Sequence, residues 1–143
     1  MNCLLMYFKN PERVLDISKS FKHIVVNILI SKKKSIGDIR KEFSQLYPFL
    51  KIEFYKTEES RGVTRRVKLD DEFHLTENGA IPIDISKHRS IALVKKDFLT
   101  ISKLIAQVYR KSGTVWVETS HTDSWSLEHQ NFEGEQMNDS STQ

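Results

Sequence analysis

The sequence predicts an α+β fold made of two internally duplicated β-α-β-β units, with pseudo-two-fold symmetry and a mainly antiparallel sheet. The segment ILISKKKSI at residues 28–36 returns as IDISKHRSI at residues 83–91. A repeated segment is interpreted first as a structural unit. The similarity continues through the apolar spacing that follows each copy. The identical pairs are Ile28/Ile83, Ile30/Ile85, Ser31/Ser86, Lys32/Lys87, Ser35/Ser90, Ile36/Ile91, Lys41/Lys96 and Phe43/Phe98.

Each unit begins with a predicted strand and a predicted helix. HIVVNILI (23–30) and IPIDI (81–85) are rich in β-branched residues and alternate, which is typical of strands. Ser35 and Ser90 stand where a side-chain oxygen caps the first turn of a helix, and Ser35 with Asp38 predicts a capping box. The following apolar residues recur at helical spacing on one face. They are Ile36, Ile39, Phe43 and Leu46 in the first unit, and Ile91, Val94, Phe98 and Ile101 in the second.

A hairpin completes each unit. The first runs from KIEFYK to VTRRVKL (51–69), and the second from AQVYRK to TVWVET (106–119) with a turn at Ser112-Gly113. Both are followed by an acid, an aromatic residue and a leucine at alternate positions. A ferredoxin-like arrangement of the two β-α-β cores is the closest known pattern, and closure into a small barrel is the alternative.

The repeat sets the domain boundaries. A chain of 143 residues suits one compact domain. We predict a single α+β domain at 23–130, with repeat 1 at 23–76 and repeat 2 at 81–128. Residues 1–22 form an N-terminal extension with a short helix. Residues 131–143 form an acidic polar tail that is partly disordered.

Two boundaries depend on local signals. Asn10-Pro11 is typical of a helix start, with a cap followed by proline at the first helical position. A helix beginning at Ser126 is expected to end before Met137, with disorder beyond it.

Composition excludes several classes of protein. The chain is 38% hydrophobic and 29% charged, and it contains no apolar run of the roughly 18 residues that a membrane helix needs. The single cysteine, Cys3, excludes an internal disulfide and a multi-cysteine metal site. We therefore expect a cytoplasmic protein that does not contact a membrane.

The motifs of common enzymes are absent, including the P-loop, the dinucleotide-binding glycine motif, H-E-x-x-H and G-x-S-x-G. His121, Asp123 and His129 are close in sequence, but their spacing matches no strong metal-binding pattern. The sequence predicts no catalytic residue, no metal, no cofactor and no enzymatic activity.

Basic residues follow the first strand of each unit. If these two strands lie parallel in one sheet, both basic loops and both helix N-termini share one edge, which favours phosphate or carboxylate. The alternative is that the charges only solvate two loops. The candidates are Lys32, Lys33, Lys34, Lys87, His88 and Arg89.

A second basic set lies on the hairpins. Its members are Arg61, Arg65, Arg66 and Lys68 on the first hairpin, and Arg110 and Lys111 on the second. Cations beside the rings of Tyr109 and Trp116 on a sheet resemble the way in which proteins hold single-stranded nucleic acid. The alternative is that both rings cover the sheet beneath a helix.

The segment VYRKSGTVWVETSHTDSWSLEHQN (108–131) resembles the closing segment of a family of small uncharacterised bacterial proteins. In that family a Y-R-K-S-G-x-V-W hairpin is followed by T-D-x-W-x-L-E. The resemblance covers about residues 23–131 and both repeats, whereas residues 1–22 depart from it. It implies a compact α+β domain and no known activity.

These observations predict a non-catalytic macromolecular interaction module. The alternative is a nucleic-acid-binding protein that uses paired basic loops at two helix N-termini. The partner is an unknown protein or a nucleic acid. Exposed sheet edges also make a homodimer possible.

Overall fold

The computed structural model describes residues 24–76 and 78–139. In these residues the chain is α+β, with three α-helices and two antiparallel sheets. The order β-α-β-β occurs twice and is followed by one more helix. The elements are β1 (Asn27–Ile30), α1 (Ile36–Leu46), β2 (Leu50–Ser60), β3 (Val63–Lys68), β4 (Ile81–Asp84), α2 (Ile91–Ser102), β5 (Ile105–Ser112), β6 (Val115–Glu118), a 3-10 turn (Ser120–Thr122) and α3 (Leu127–Asp139).

The strands form two sheets where the sequence predicts one. The small sheet contains β1 and β4, and the large sheet has the order β3-β2-β5-β6. The long strand β2 pairs with β3 through its second half and with β5 through its first half. Strand β5 pairs with β6 through its second half, and β1 and β4 pair with each other. A ferredoxin-like arrangement has all its strands in one sheet, which this topology does not show.

The predicted caps are confirmed, and so is most of each predicted helix face. The Ser35 hydroxyl accepts from the Asp38 N–H, and the Asp38 carboxylate accepts from the Ser35 N–H in return. These hydrogen bonds to Ser35 lower the pKa of Asp38. Ser90 accepts from the Leu93 N–H in the same way. Three of the four predicted apolar residues of α1 are buried, but Leu46 is about half exposed.

The core lies between the helices, the small sheet and one side of the large sheet. Leu50, Ile52 and Phe54 of β2 point into it, and Phe54 packs edge-on against Phe98 of α2 at 4.9 Å between ring centroids. Both hairpins close with two-residue turns. The second turn is Gly113-Thr114, one residue later than predicted, with Gly113 at a φ of 60°.

Helix α3 docks on the same side of the large sheet. The Phe49 N–H donates to Asn131 Oδ1 at 2.9 Å, and Arg110 donates to Gln130 at 2.9 Å. Buried Gly134 lets the helix backbone come close to Phe49. The helix continues through Asp139, so the three residues from 137 to 139 are helical where the sequence predicted disorder. The predicted extension at 1–22 lies outside the described residues.

Candidate interaction surface

The segments that follow the two hairpins occupy the helix N-termini. The Ile36 N–H donates to the Phe73 carbonyl at 2.8 Å, and the Gly37 N–H donates to the Asp71 carbonyl at 2.9 Å. The first two N–H groups of α2 do the same. Ile91 donates to Trp125 at 3.0 Å and Ala92 to Asp123 at 2.8 Å. Since Ser35 and Ser90 take the third N–H group of each helix, the predicted use of free helix N–H groups for anion binding is wrong.

The two basic loops lie at opposite ends of the small sheet. Strand β1 is antiparallel to β4, with Ile30 opposite Ile81 and Asn27 opposite Asp84. The loops that follow the two strands therefore leave in opposite directions. The parallel pairing on which the shared basic edge depended is not present.

Neighbouring carboxylates neutralise half of the candidate residues in these loops. Lys34 pairs with Glu42 at 2.6 Å, Lys87 pairs with Glu128 at 3.2 Å, and Arg89 pairs with Asp97. Within residues 24–76 and 78–139, no ion pair is found for the exposed Lys32, Lys33 and His88. These three residues stay candidates, but they belong to two separate loops.

The large sheet has one side that faces away from the core cluster, which we call the open face. The side chains of Arg40 in α1 and Lys95 in α2 reach its centre. Residues directly opposite in an antiparallel pair share a side, so the register fixes its membership. All three helices contact the other side, through the core cluster or through Arg110. The open face contains Lys51, Glu53, Tyr55, Thr57 and Glu59 of β2, Thr64, Arg66 and Lys68 of β3, Ile105, Gln107, Tyr109 and Lys111 of β5, and Trp116 and Glu118 of β6.

A polar centre lies in the middle of the open face. Glu53 is directly opposite Gln107, and both are buried. Tyr55 and Tyr109 extend towards each other above them and share a hydrogen bond of 3.1 Å between their hydroxyl groups. That hydrogen bond, followed by burial, raises the pKa of Tyr109 above its usual value. The Tyr109 hydroxyl therefore stays neutral at physiological pH.

Three cations surround the buried Glu53 carboxylate. Arg40 reaches it from α1 at 2.9 Å, Lys68 approaches at 3.3 Å and Lys51 at 3.7 Å. Arg40 also pairs with the exposed carboxylate of Asp71. Only 2% of Glu53 is exposed, so this carboxylate depends on its cations for compensation. Glu53 thereby holds Lys51 and Lys68 over the sheet.

Lys51 connects the polar centre to the aromatic end of the open face. Its Nζ lies 5.2 Å from the centroid of the Tyr109 ring and 5.1 Å from that of Trp116, within the range of cation–π attraction. Trp116 is 38% exposed on the edge strand β6. The open face thus presents aromatic rings and ammonium groups together.

The hairpin candidates are divided between the two sides of the large sheet. Arg66 and Lys111 lie on the open face. Arg65 is on the other side, 3.7 Å from Glu58, and Arg110 is packed beneath α3. The predicted residues are therefore not one cluster.

Two contributors to the open face, Lys51 and Tyr55, were missed. The alternation in KIEFYK could have indicated them, because it places Lys51 and Tyr55 on the side of the strand that faces away from the apolar pair Ile52 and Phe54.

The histidine candidates do not form a metal site. Asp123 pairs with Lys95 at 2.8 Å, and His129 stacks on Trp125 at 4.3 Å between centroids. In the part of the chain that the structure describes, no three His, Cys, Asp or Glu side chains are grouped closely enough to hold a metal ion. Among the same residues, no helix has both the length and the apolar character needed to cross a membrane.

Comparison of the chain with protein-family models, with curated proteins and with solved structures gives no match. The resemblance carried by residues 108–131 stays a prediction.

Proposed function

We propose that this chain is a non-catalytic interaction module that binds another macromolecule on the open face. The observation that carries this proposal is the presence of Tyr109, Trp116 and Lys51 together on the side of the large sheet that faces away from the core cluster. Tyr and Trp are enriched in binding interfaces because they bury much apolar area while keeping a polar group. Trp116 is 38% exposed, so part of its apolar ring surface stays in contact with water. A partner bound on the open face would bury that surface.

We further propose that the two β-α-β-β segments are an internal duplication related by a pseudo-two-fold axis. The register supports it, because the equivalent residues Ile28 and Ile83 are direct partners in the small sheet. Glu53 and Gln107 are direct partners in the large sheet in the same way. The axis would pass between the two members of each pair, so each segment would supply half of the open face.

The alternative function, nucleic-acid binding through paired basic loops, has less support. It needs both loops at one edge and free helix N–H groups, and the antiparallel pairing and the backbone caps provide neither. Lys32 and Lys33 still line a cleft of about 410 Å³ with Asn78. Of the alternative based on the basic loops, nucleic-acid binding by this single loop keeps support.

Site-directed photo-crosslinking tests the proposal. A photoreactive phenylalanine analogue replaces Trp116 on the open face or, as the control, Leu99 on α2, which is 51% exposed on a helix surface. In cells that produce the full chain, we expect adducts with one discrete macromolecule from position 116 and not from position 99. The adduct should weaken when Lys51→Glu is added. Equal adducts from both positions, or none from position 116, would refute the proposal.

A further inference from the structure

We infer that the open face binds single-stranded nucleic acid, with bases stacked on its aromatic rings and backbone phosphates paired with its lysines and arginine. The inference rests on the proposed function and names the class of partner. Its participants are Tyr55, Tyr109, Trp116, Lys51, Arg66, Lys68 and Lys111.

The two tyrosine rings lie along the sheet and do not project from it. Tyr55 is opposite Ile105 and Tyr109 is opposite Lys51, so the two tyrosines are four positions apart along the strands, or about 13 Å. Their hydroxyls are nevertheless only 3.1 Å apart. Two side chains can span that distance only by lying nearly parallel to the strands, so both half-buried rings lie along the surface of the open face.

Trp116 extends this platform to the edge strand. Tyr109 is directly opposite Glu118, and Trp116 is two residues before Glu118 on β6. Trp116 is therefore a diagonal neighbour of Tyr109, about 7 Å away. Stacking on adjacent aromatic side chains is the usual way in which sheet surfaces hold successive unpaired bases, and it contributes about 1–3 kcal/mol per base.

The charges of the open face favour a polyanion. Four cations, Lys51, Arg66, Lys68 and Lys111, stand against two exposed carboxylates, Glu59 and Glu118. The third carboxylate, Glu53, is buried between Arg40 of α1 and the face's own Lys51 and Lys68. Four cations against three carboxylates leave the residues of the open face with a net charge of +1. Because Lys51 lies about 5 Å from two rings, it can pair with a phosphate while the neighbouring bases stack.

The geometry favours a single strand over a duplex and over a protein. Base pairs hide their π faces in a duplex, so flat rings add nothing to duplex binding. An acidic protein surface would pair with the cations but would leave the lined-up rings without stacking partners. A flat aromatic platform beside phosphate-binding cations suits unpaired nucleotides.

Fluorescence anisotropy with labelled DNA and RNA oligonucleotides of about 15 nucleotides tests the inference. The single strands should bind more tightly than the matching duplex. With up to four cations engaged, the affinity should fall roughly 50-fold between about 50 and about 200 mM salt. Trp116→Ala should weaken single-strand binding about 10- to 100-fold, and Lys68→Gln with Lys111→Gln should reduce the salt dependence. Circular dichroism verifies that each variant is folded.

Lys41→Gln with Lys96→Gln is the matched control, since it removes the same charge from exposed positions on α1 and α2, outside the open face. We expect less than about a threefold change, because the lost attraction is only long-range and screened. No single-strand binding at low salt, equal binding of the duplex, or an equal loss in this control would refute the inference. Adducts from position 116 that protease digests and nuclease does not would refute it while leaving the proposed function intact. Absence of any adduct would refute both.

Discussion

Replacing Gly134 with alanine should weaken the docking of α3 on the large sheet. A Cβ atom at this position would lie 2.8 Å from Phe49 Cβ and 3.1 Å from both the Phe49 carbonyl oxygen and Arg110 Cγ. The first distance is shorter than real Cβ contacts allow, and two of the three atoms are held by the backbone of Phe49. The Phe49 carbonyl is fixed further by a 2.9 Å hydrogen bond from the Lys111 N–H. The helix must therefore move away from the sheet.

The magnitude follows from two opposing effects. Overpacking of a fitted contact costs about 1–3 kcal/mol, and removing glycine from a helix interior returns about 1 kcal/mol. The difference predicts a net loss of about 1 kcal/mol in the free energy of unfolding, or roughly 2–6 °C in Tm. Lengthening of the Phe49–Asn131 hydrogen bond by the retreating helix would add to this loss.

Urea denaturation followed by circular dichroism measures the effect, with Glu135→Ala as the control. Glu135 is the next residue on the same helix and is exposed, so its replacement should change stability by less than about 0.5 kcal/mol. A Gly134→Ala variant as stable as the unaltered chain, or more stable, would refute the close packing of α3 against Phe49.

The remaining predictions concern the helix start and a buried tyrosine. Gly37→Ala should destabilise the chain by about 1 kcal/mol, because its Cβ would lie 2.9 Å from Asp71 Cβ. Ala92→Gly, at the corresponding place in α2, should also destabilise the chain, by about 0.5–1 kcal/mol through its lower helix propensity. Stabilisation by Gly37→Ala in urea denaturation would contradict the close packing of Gly37 against Asp71. Tyr47→Phe removes the 2.6 Å hydrogen bond from the tyrosine hydroxyl to the Ile85 carbonyl and should cost about 1 kcal/mol near neutral pH. Burial raises the pKa of Tyr47 to about 12, so the hydroxyl favours the folded state fully below about pH 10. The advantage of the unaltered chain over Tyr47→Phe should shrink as pH rises from 10 towards 12, and urea midpoints that stay equally far apart would contradict it.

Local features were predictable from the sequence, and the choice of partners between distant segments was not. Ser35 and Ser90 mark helix starts because capping depends on residues within one turn. The pattern of a four-residue strand is the same for parallel and antiparallel pairing, so the orientation of β1 against β4 had no local signal. The Asp71 carbonyl, which accepts a hydrogen bond from the Gly37 N–H, could not be predicted from the sequence either, because every residue supplies a backbone carbonyl.

The open face could be predicted only in part. Trp116 and Lys111 were found because they stand beside each other in a recognisable hairpin. Lys51 was not, because its contact with Trp116 crosses β5. Such a contact becomes visible only when the strand order is known.

The two ends of the open face are unequal although Tyr55 and Tyr109 are arranged alike. Beside Tyr55 the neighbouring strand carries Lys68 and Arg66, whereas beside Tyr109 it carries Glu118 and Trp116. An elongated ligand that met a truly symmetric platform could lie in either polarity with equal energy. Here one terminus of such a ligand would meet Lys68 and Arg66, and the other would meet the indole of Trp116, the carboxylate of Glu118 and Lys111. The two directions therefore differ in energy, and the complex would have a defined polarity.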